Sequence, residues 1–388
     1  MRLLHTTSGV FEEFFDTMIP RYSILSHRWG NDEVSLQDLE AGRKDSGEGS
    51  SKIRKCCALA QKRGFDWVWI DTCCIDRKSS AELSEAINSM YRWYRNAGEC
   101  YVYLSDVAWV QDGKKGQMEQ SRKEFRNSKW FTRGWTLQEL LAPEWVLFYD
   151  CNWNLIGQKS SDSMEVSELA TEISSITKID VKYINDEYLV PDACAAVKMS
   201  WVSRRQTSRS EDLAYCLLGI FDINMPLLYG EGEKAFFRLQ SEIIKQNDDE
   251  SIFAWITGPS SDRIGQRAGG LFAPTPGCFA ESGTIECLSV RRPPWSMTNR
   301  GLEIRIPSLD VDSRGKARLR LNCWMRKDRE FDVDPTQRAI LISLRERPYR
   351  DEYYRVFCDK WLQDKAVIAP SAEEMKDTTC IYVLGLHD

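Results

Sequence analysis

The sequence predicts a mixed α/β protein: a parallel sheet flanked by helices, then a helical segment, then a smaller C-terminal β-rich domain. Three observations predict it. Near-continuous apolar runs such as Trp67-Val68-Trp69-Ile70 alternate with helix-period segments through the first 160 residues, as in strands buried on both faces. Helical periodicity then dominates from about Ser163 to Gln246. From Ser251 onward, alternating runs punctuated by Pro and Gly indicate antiparallel strands. The expected boundaries are 1–160 for the α/β core, 161–250 for its helical extension and 251–388 for the β-rich domain.

Each element has its own warrant. Tyr22-Ser23-Ile24-Leu25-Ser26 reads as the first strand, ending in His27-Arg28-Trp29-Gly30. A helix near Lys52–Arg63 places Ile53, Cys56, Cys57 and Ala60 on one face and stops at Gly64. Phe65 to Asp71 is the second strand, too apolar for a sheet edge. Leu83, Ile87, Met90, Tyr91 and Tyr94 recur at helical spacing over about Ala81–Asn96, and Gly98 precedes a third strand, Cys100–Leu104. The charged stretch Gln111–Arg122 reads as an exposed loop. In Ser128–Pro143, Glu139 stands four residues after Trp135 in a short helix, so the two share a face, with Leu137, Leu140 and Leu141 as the apolar anchor. Trp145–Tyr149 is the fourth strand. Beyond Ser251, Ile252–Ile256, Leu302–Ile306, Ala317–Cys323 and Ile340–Ile342 read as strands.

Composition narrows the function classes. A formal charge of -6 with no basic stripe argues against nucleic acid as partner. No apolar run approaches the roughly 20 residues needed to span a bilayer, and the N-terminus lacks a secretory h-region. Thirteen cysteines include the adjacent pairs Cys56-Cys57 and Cys73-Cys74, which fit neither a disulfide framework nor zinc spacing. With only three histidines, no metal site is expected, and reduced thiols point to the cytoplasm.

In open parallel sheets, ligands lie beyond the carboxyl ends of the strands. That rule gathers Ser26, His27, Arg28 and Trp29 after the first strand, Asp71 and Asp76 after the second, and Ser105, Asp106 and the approach to Trp135 and Glu139 after the third. Such a cleft suits a nucleotide, with Arg28 on phosphate and Trp29 or Trp135 stacked on a ring. Each residue also has a plain structural reading: His27 as a core histidine, Asp71 as a turn cap, Asp76 at a helix entry. Gly230-Glu231-Gly232-Glu233-Lys234-Ala235 matches a dinucleotide fingerprint, but its two acids would repel a pyrophosphate. No P-loop motif occurs.

Several of these segments resemble the fungal heterokaryon-incompatibility (HET) domain. They are Tyr22–Gly30, Trp69–Asp76, Met90–Ala97 and Arg133–Pro143, followed by Lys198–Trp201, Thr207–Gly219 and Met225–Gly232. The resemblance covers about Tyr22 to Trp255 and implies an effector of cell death in non-self recognition. Many such domains head immune-receptor-like (NLR-type) chains, so the resemblance implies a stand-alone protein or an excised effector region, with an NLR-type partner. The domain also looks like a divergent relative of the Toll/interleukin-receptor (TIR) fold, a flavodoxin-like parallel sheet. Tyr22–Arg28 resembles its first strand, Trp69-Ile70-Asp71 its second, and Trp135-x-x-x-Glu139 the motif whose Glu is catalytic in NAD-cleaving members. Thr136 stands where TIR domains commonly carry Cys, and Ser128 is further from the Glu than usual.

The resemblance implies Glu139 as the catalytic residue of an NAD nucleosidase, with NAD or a related nucleotide as substrate rather than a resident cofactor, and homo-oligomerisation on activation. Ser26, His27, Arg28, Trp29, Asp71, Asp76, Ser105 and Trp135 are the expected nucleotide contacts. The rival expectation is a non-catalytic module acting through homotypic assembly, with Glu139 structural.

Overall fold

The computed structural model describes residues 1–42, 47–159, 166–257, 270–288, 293–307, 316–326, 339–347, 352–356, 362–364 and 378–383. It divides the chain into two compact units. The first comprises Met1–Asp192, Arg205–Ser208 and Tyr215–Leu227; the second comprises Ala193–Arg204, Arg209–Ala214 and Leu228–Asp388. The stretch from 161 to 250 is therefore shared between them.

The first unit is built on a seven-stranded sheet: β1 (Arg2–His5), β2 (Phe11–Glu13), β3 (Tyr22–His27), β4 (Trp67–Trp69), β5 (Glu99–Tyr103), β6 (Val146–Tyr149) and β7 (Leu155–Lys159). Their spatial order is β2-β1-β4-β3-β5-β6-β7. β4, β3, β5 and β6 run parallel, as their apolar runs predict. The β1–β2 hairpin and β7 add antiparallel edges that the sequence reading did not foresee. Leaving β3, the chain builds one neighbour on one side (β4) and the next on the other (β5). The reversal point, where doubly wound sheets bind ligands, lies between the C-terminal ends of β3 and β5.

Helices cover this sheet: α1 (Leu36–Glu40), α2 (Glu48–Lys62), α3 (Asp71–Cys74), α4 (Ser80–Asn96), α5 (Lys115–Arg126), α6 (Thr136–Leu141), α7 (Glu168–Thr177) and α8 (Val181–Asn185). α4 starts where the Ser79 side chain accepts from the Glu82 N–H, a cap contributing about 1 kcal/mol. It buries Ala86, Ile87, Met90, Trp93 and Tyr94, and Trp69 of β4 packs against Trp93 and Tyr94 at ring distances of 5.6 and 5.9 Å. α5 overturns the loop expected at Gln111–Arg122. Its composition is polar, yet Ser121 and Phe125 are buried, and Phe125 meets Phe131 at 5.2 Å and Phe148 at 6.1 Å. One aromatic anchor in place outweighs a polar average.

The second unit contains α9 (Ala195–Val202) and, after the short α10 (Asp212–Tyr215) at the passage between units, α11 (Lys234–Gln246). Its sheet is formed by β8 (Ile285–Cys287), β9 (Ser296–Thr298), β10 (Gly301–Pro307), β11 (Lys316–Met325), β12 (Ala339–Arg347), β13 (Glu352–Val356), β14 (Leu362–Asp364) and β15 (Thr378–Val383). Among the described residues of this sheet, only β13 and β15 pair in parallel. The strand expected at Ile252–Ile256 is instead a 3-10 turn, Glu250–Phe253. Asp249 accepts from the Ser251 N–H at 2.8 Å, and an aspartate that caps in this way favours a turn over a ladder.

Candidate functional site

The last residues of β3 present side chains to opposite faces, as strand geometry requires. Ser26 is wholly buried and faces α6: its hydroxyl donates to Glu139 Oε2 and accepts from Trp130 Nε1 at 2.9 Å. The Tyr94 hydroxyl donates to the Leu25 carbonyl at 3.0 Å, holding the end of the strand to α4. Glu139 is 6% exposed. Burial pushes its carboxyl up to about 8; the Ser26 hydrogen bond, Arg133 and Arg205 oppose that rise, and the Asp71 charge adds to it.

Much of the surrounding structure serves to hold α6. All six of its residues are buried. Ahead of it, Gly134 lies against the returning segment: its N–H donates to the Gln206 carbonyl at 2.9 Å, and a Cβ there would stand 2.5 Å from Thr207 Cγ2. The Thr136 hydroxyl donates to the Trp130 carbonyl at 2.6 Å and accepts from Arg205 Nη1 at 2.9 Å. Within the helix, Gln138 Nε2 donates to the Cys216 carbonyl at 2.7 Å. At the far end the fully buried Lys159 donates to the carbonyls of Leu140 (3.1 Å) and Pro143 (2.9 Å). Burial pushes its ammonium down to about 8, and the free C-terminal carbonyls of the helix are its natural partners.

On the other side of the strand end, the imidazole of His27 lies between two acids. Nε2 is 3.6 Å from Glu33 Oε2 and Nδ1 is 3.8 Å from Asp71 Oδ1. Glu33 accepts from Lys52 Nζ at 2.6 and 2.7 Å. Burial opposes its charge, but His27, Lys52 and the Gly30 N–H hold its carboxyl down to about 2. Asp71 begins α3 and accepts from Trp29 Nε1 at 2.6 Å. The Trp29 ring, 39% exposed, carries the Arg77 guanidinium 3.6 Å from its centroid and that of Arg133 at 5.3 Å. Two cations and an indole thus gather beside the acids, a combination suited to an anion attached to a flat ring.

The expected residues separate into groups. Ser26, His27, Trp29, Asp71 and Glu139 form the connected cluster just described. Arg28 and Ser105 are exposed and line a different cleft, about 350 Å³, whose walls include Glu33, Lys52, Lys55, Tyr103 and Trp153. Glu33 belongs to both. Asp76 accepts from Gln37 Nε2 at 2.7 Å and from the Lys78 N–H at 2.9 Å, the bonding of a turn. Asp106 accepts from Ser128 and Lys129, fixing the 3-10 turn Lys129–Thr132. Trp135 is half-buried immediately before α6. The sequence reading missed Glu33, Arg77, Trp130, Arg133 and Arg205. Arg77 and Arg133 had a signal, since each lies in or directly follows a motif singled out above; Arg205 had none, because only the returning segment brings it to α6.

A larger cleft, about 530 Å³, opens at the opposite, N-terminal end of β3 around Arg21 and Tyr22, away from the edge where such sheets bind ligands. In the second unit the N–H groups of Gly230 and Gly232 both donate to Glu211 Oε1, at 2.7 and 3.1 Å. The dinucleotide-like loop is therefore occupied by a carboxylate of the protein itself. Among the described residues, no helix is long and apolar enough to cross a membrane.

Comparison with known proteins agrees with the motifs. Residues 22–119 match the model of the family described as Heterokaryon incompatibility protein (HET). That span contains Ser26, His27, Trp29, Asp71 and Arg77, whereas Arg133 and Glu139 follow it. The vegetative incompatibility protein HET-E-1 of Podospora anserina is 46% identical over 261 residues, which are 65% of this chain and 18% of that protein. This chain thus spans under a fifth of the length of the relative it matches. No solved structure matched.

Proposed function

We propose that this chain, which carries a heterokaryon-incompatibility (HET) domain, is an effector of fungal vegetative incompatibility that acts by hydrolysing the nicotinamide–ribose bond of NAD at Glu139. The observation that carries the reading is the placement of a lone buried carboxylate at the reversal point of a doubly wound sheet, oriented by Ser26, with Trp29, Arg77 and Arg133 gathered around Asp71 beside it. One carboxylate suffices for this bond. The electron pair of the C1′–N1 bond passes to the pyridinium nitrogen, so nicotinamide leaves neutral and needs no general acid. Ionised Glu139 stabilises the oxocarbenium-like ribose. Water then adds to C1′ and gives up its proton, for which Glu139 is the acceptor. Arg77 and Arg133 would face the diphosphate and Trp29 a ring. Self-association on activation would open the buried carboxyl to substrate.

Near-complete burial of Glu139 favours a second reading, an assembly module in which the acid is a protonated core group. Incubating the purified chain with NAD, dilute and clustered on a scaffold, separates the two. Nicotinamide release that Glu139→Ala abolishes in a folded protein supports hydrolysis. No turnover under either condition sinks the enzyme and leaves the module.

A further inference from the structure

Within the second unit, three side chains far apart in sequence converge. Cys194 precedes α9, Asp249 precedes the 3-10 turn Glu250–Phe253, and Cys287 ends β8. One ligand atom from each, two sulfurs and a carboxylate oxygen, lies within 4.8 Å of the others. We propose that Cys194, Asp249 and Cys287 form a binding site for a thiophilic divalent cation of the zinc class, which ties these three elements of the second unit together.

The surroundings are those of a built ligand set. Asp249 is held in place by backbone donors, the Ser251 N–H on Oδ1 at 2.8 Å and the Ala195 N–H on Oδ2 at 2.5 Å, the kind of outer support that orients a metal-ligating carboxylate. The Cys287 thiol donates to Asp249 Oδ1 at 3.0 Å, and the Cys194 thiol to the Ile285 carbonyl at 3.3 Å. A cation replaces those two thiol protons. Its bonds to sulfur at about 2.3 Å and to oxygen at about 2.0–2.2 Å require neighbouring ligands less than 4 Å apart, a small closure from the observed spacing. Two thiolates this close to a carboxylate would repel one another, and a divalent charge removes that repulsion. Cys287 is solvent-exposed, which leaves a fourth position to water. The carboxylate separates this arrangement from a disulfide pair, which has no use for one. Sequence spacing concealed the site because its ligands come singly from three segments.

The balance is simple: one M²⁺ enters, two thiols become thiolates, and two protons leave to solvent. The test uses the full chain, reduced and freed of metal by chelation, then titrated with Co²⁺ and afterwards with Zn²⁺. Expected are about one Co²⁺ per chain, a thiolate-to-cobalt charge-transfer band, displacement of Co²⁺ by Zn²⁺, and a rise in melting temperature with Zn²⁺. Cys287→Ser, a change at an exposed position that keeps the fold testable, loses the band and the thermal shift; Cys194→Ser behaves alike, and Asp249→Asn binds at least tenfold more weakly. An equal band in Cys287→Ser, or a reduced chain that takes no metal while the air-oxidised chain carries a Cys194–Cys287 disulfide, overturns the proposal.

Discussion

Glu139→Gln isolates the electrostatic cost of the site. Glu139 is the only ionisable residue of α6, and the glutamine amide oxygen still accepts from Ser26. In the unfolded chain the carboxyl titrates near 4.5; in the folded chain burial pushes it up to about 8. The folded state therefore holds this proton more tightly. The associated stability is fully present below pH 4.5 and is lost as pH rises through about 8. Linkage runs at about 1.4 kcal/mol per pH unit across that window and flattens near its upper end, so between pH 6 and 8 the wild type loses about 2 kcal/mol through this group alone. The variant has no such group. Urea denaturation of both proteins at pH 6 and pH 8, followed by tryptophan fluorescence, gives the difference between them, in which other titrating residues cancel. The variant should gain about 2 kcal/mol on the wild type over this interval. The same pH dependence in both would mean that Glu139 titrates at its ordinary value, in contact with water, and the site's electrostatics would have to be abandoned.

Other substitutions test neighbouring links. Gly134→Ala drives a methyl to within 2.5 Å of Thr207 and should cost about 1–3 kcal/mol, read as a lower urea midpoint; no change would mean that the returning segment is loosely held. Ser26→Ala strips a partner from both Trp130 and Glu139 and should also cost about 1–3 kcal/mol. If NAD is cleaved by ionised Glu139, its rate in saturating substrate rises with pH toward about 8, and Ser26→Ala moves that rise to higher pH, because the lost hydrogen bond had favoured the charged form. A rate that is flat from pH 6 to 9 in both proteins assigns the chemistry to another group.

The parallel strands and their order of appearance were legible because each is a short run buried on both faces, where side-chain hydrophobicity alone decides. β3 buries all six of its residues. α5 was not legible, since Phe125 earns its place only through Phe131 and Phe148, partners the local pattern does not contain. Within the site, the rule that ligands gather beyond strand ends placed Ser26, His27, Trp29, Asp71 and Glu139 together. The same rule grouped Arg28 and Asp76 with them, but successive residues at a strand end leave in different directions. Arg28 entered another cleft, and Asp76 was taken up by a turn with Gln37 and Lys78.

By itself, then, the sequence determined the α/β class, the central strands and the acid-bearing motif, because periodic burial and local helix chemistry are written in neighbouring residues. Tertiary structure decided which charges meet. The Glu33–His27–Asp71 line, the two arginines at Trp29 and the cysteine–aspartate trio each join side chains from separate segments. Electrostatic interaction depends on distance through space and on the water excluded between groups, and neither quantity exists until the chain has folded.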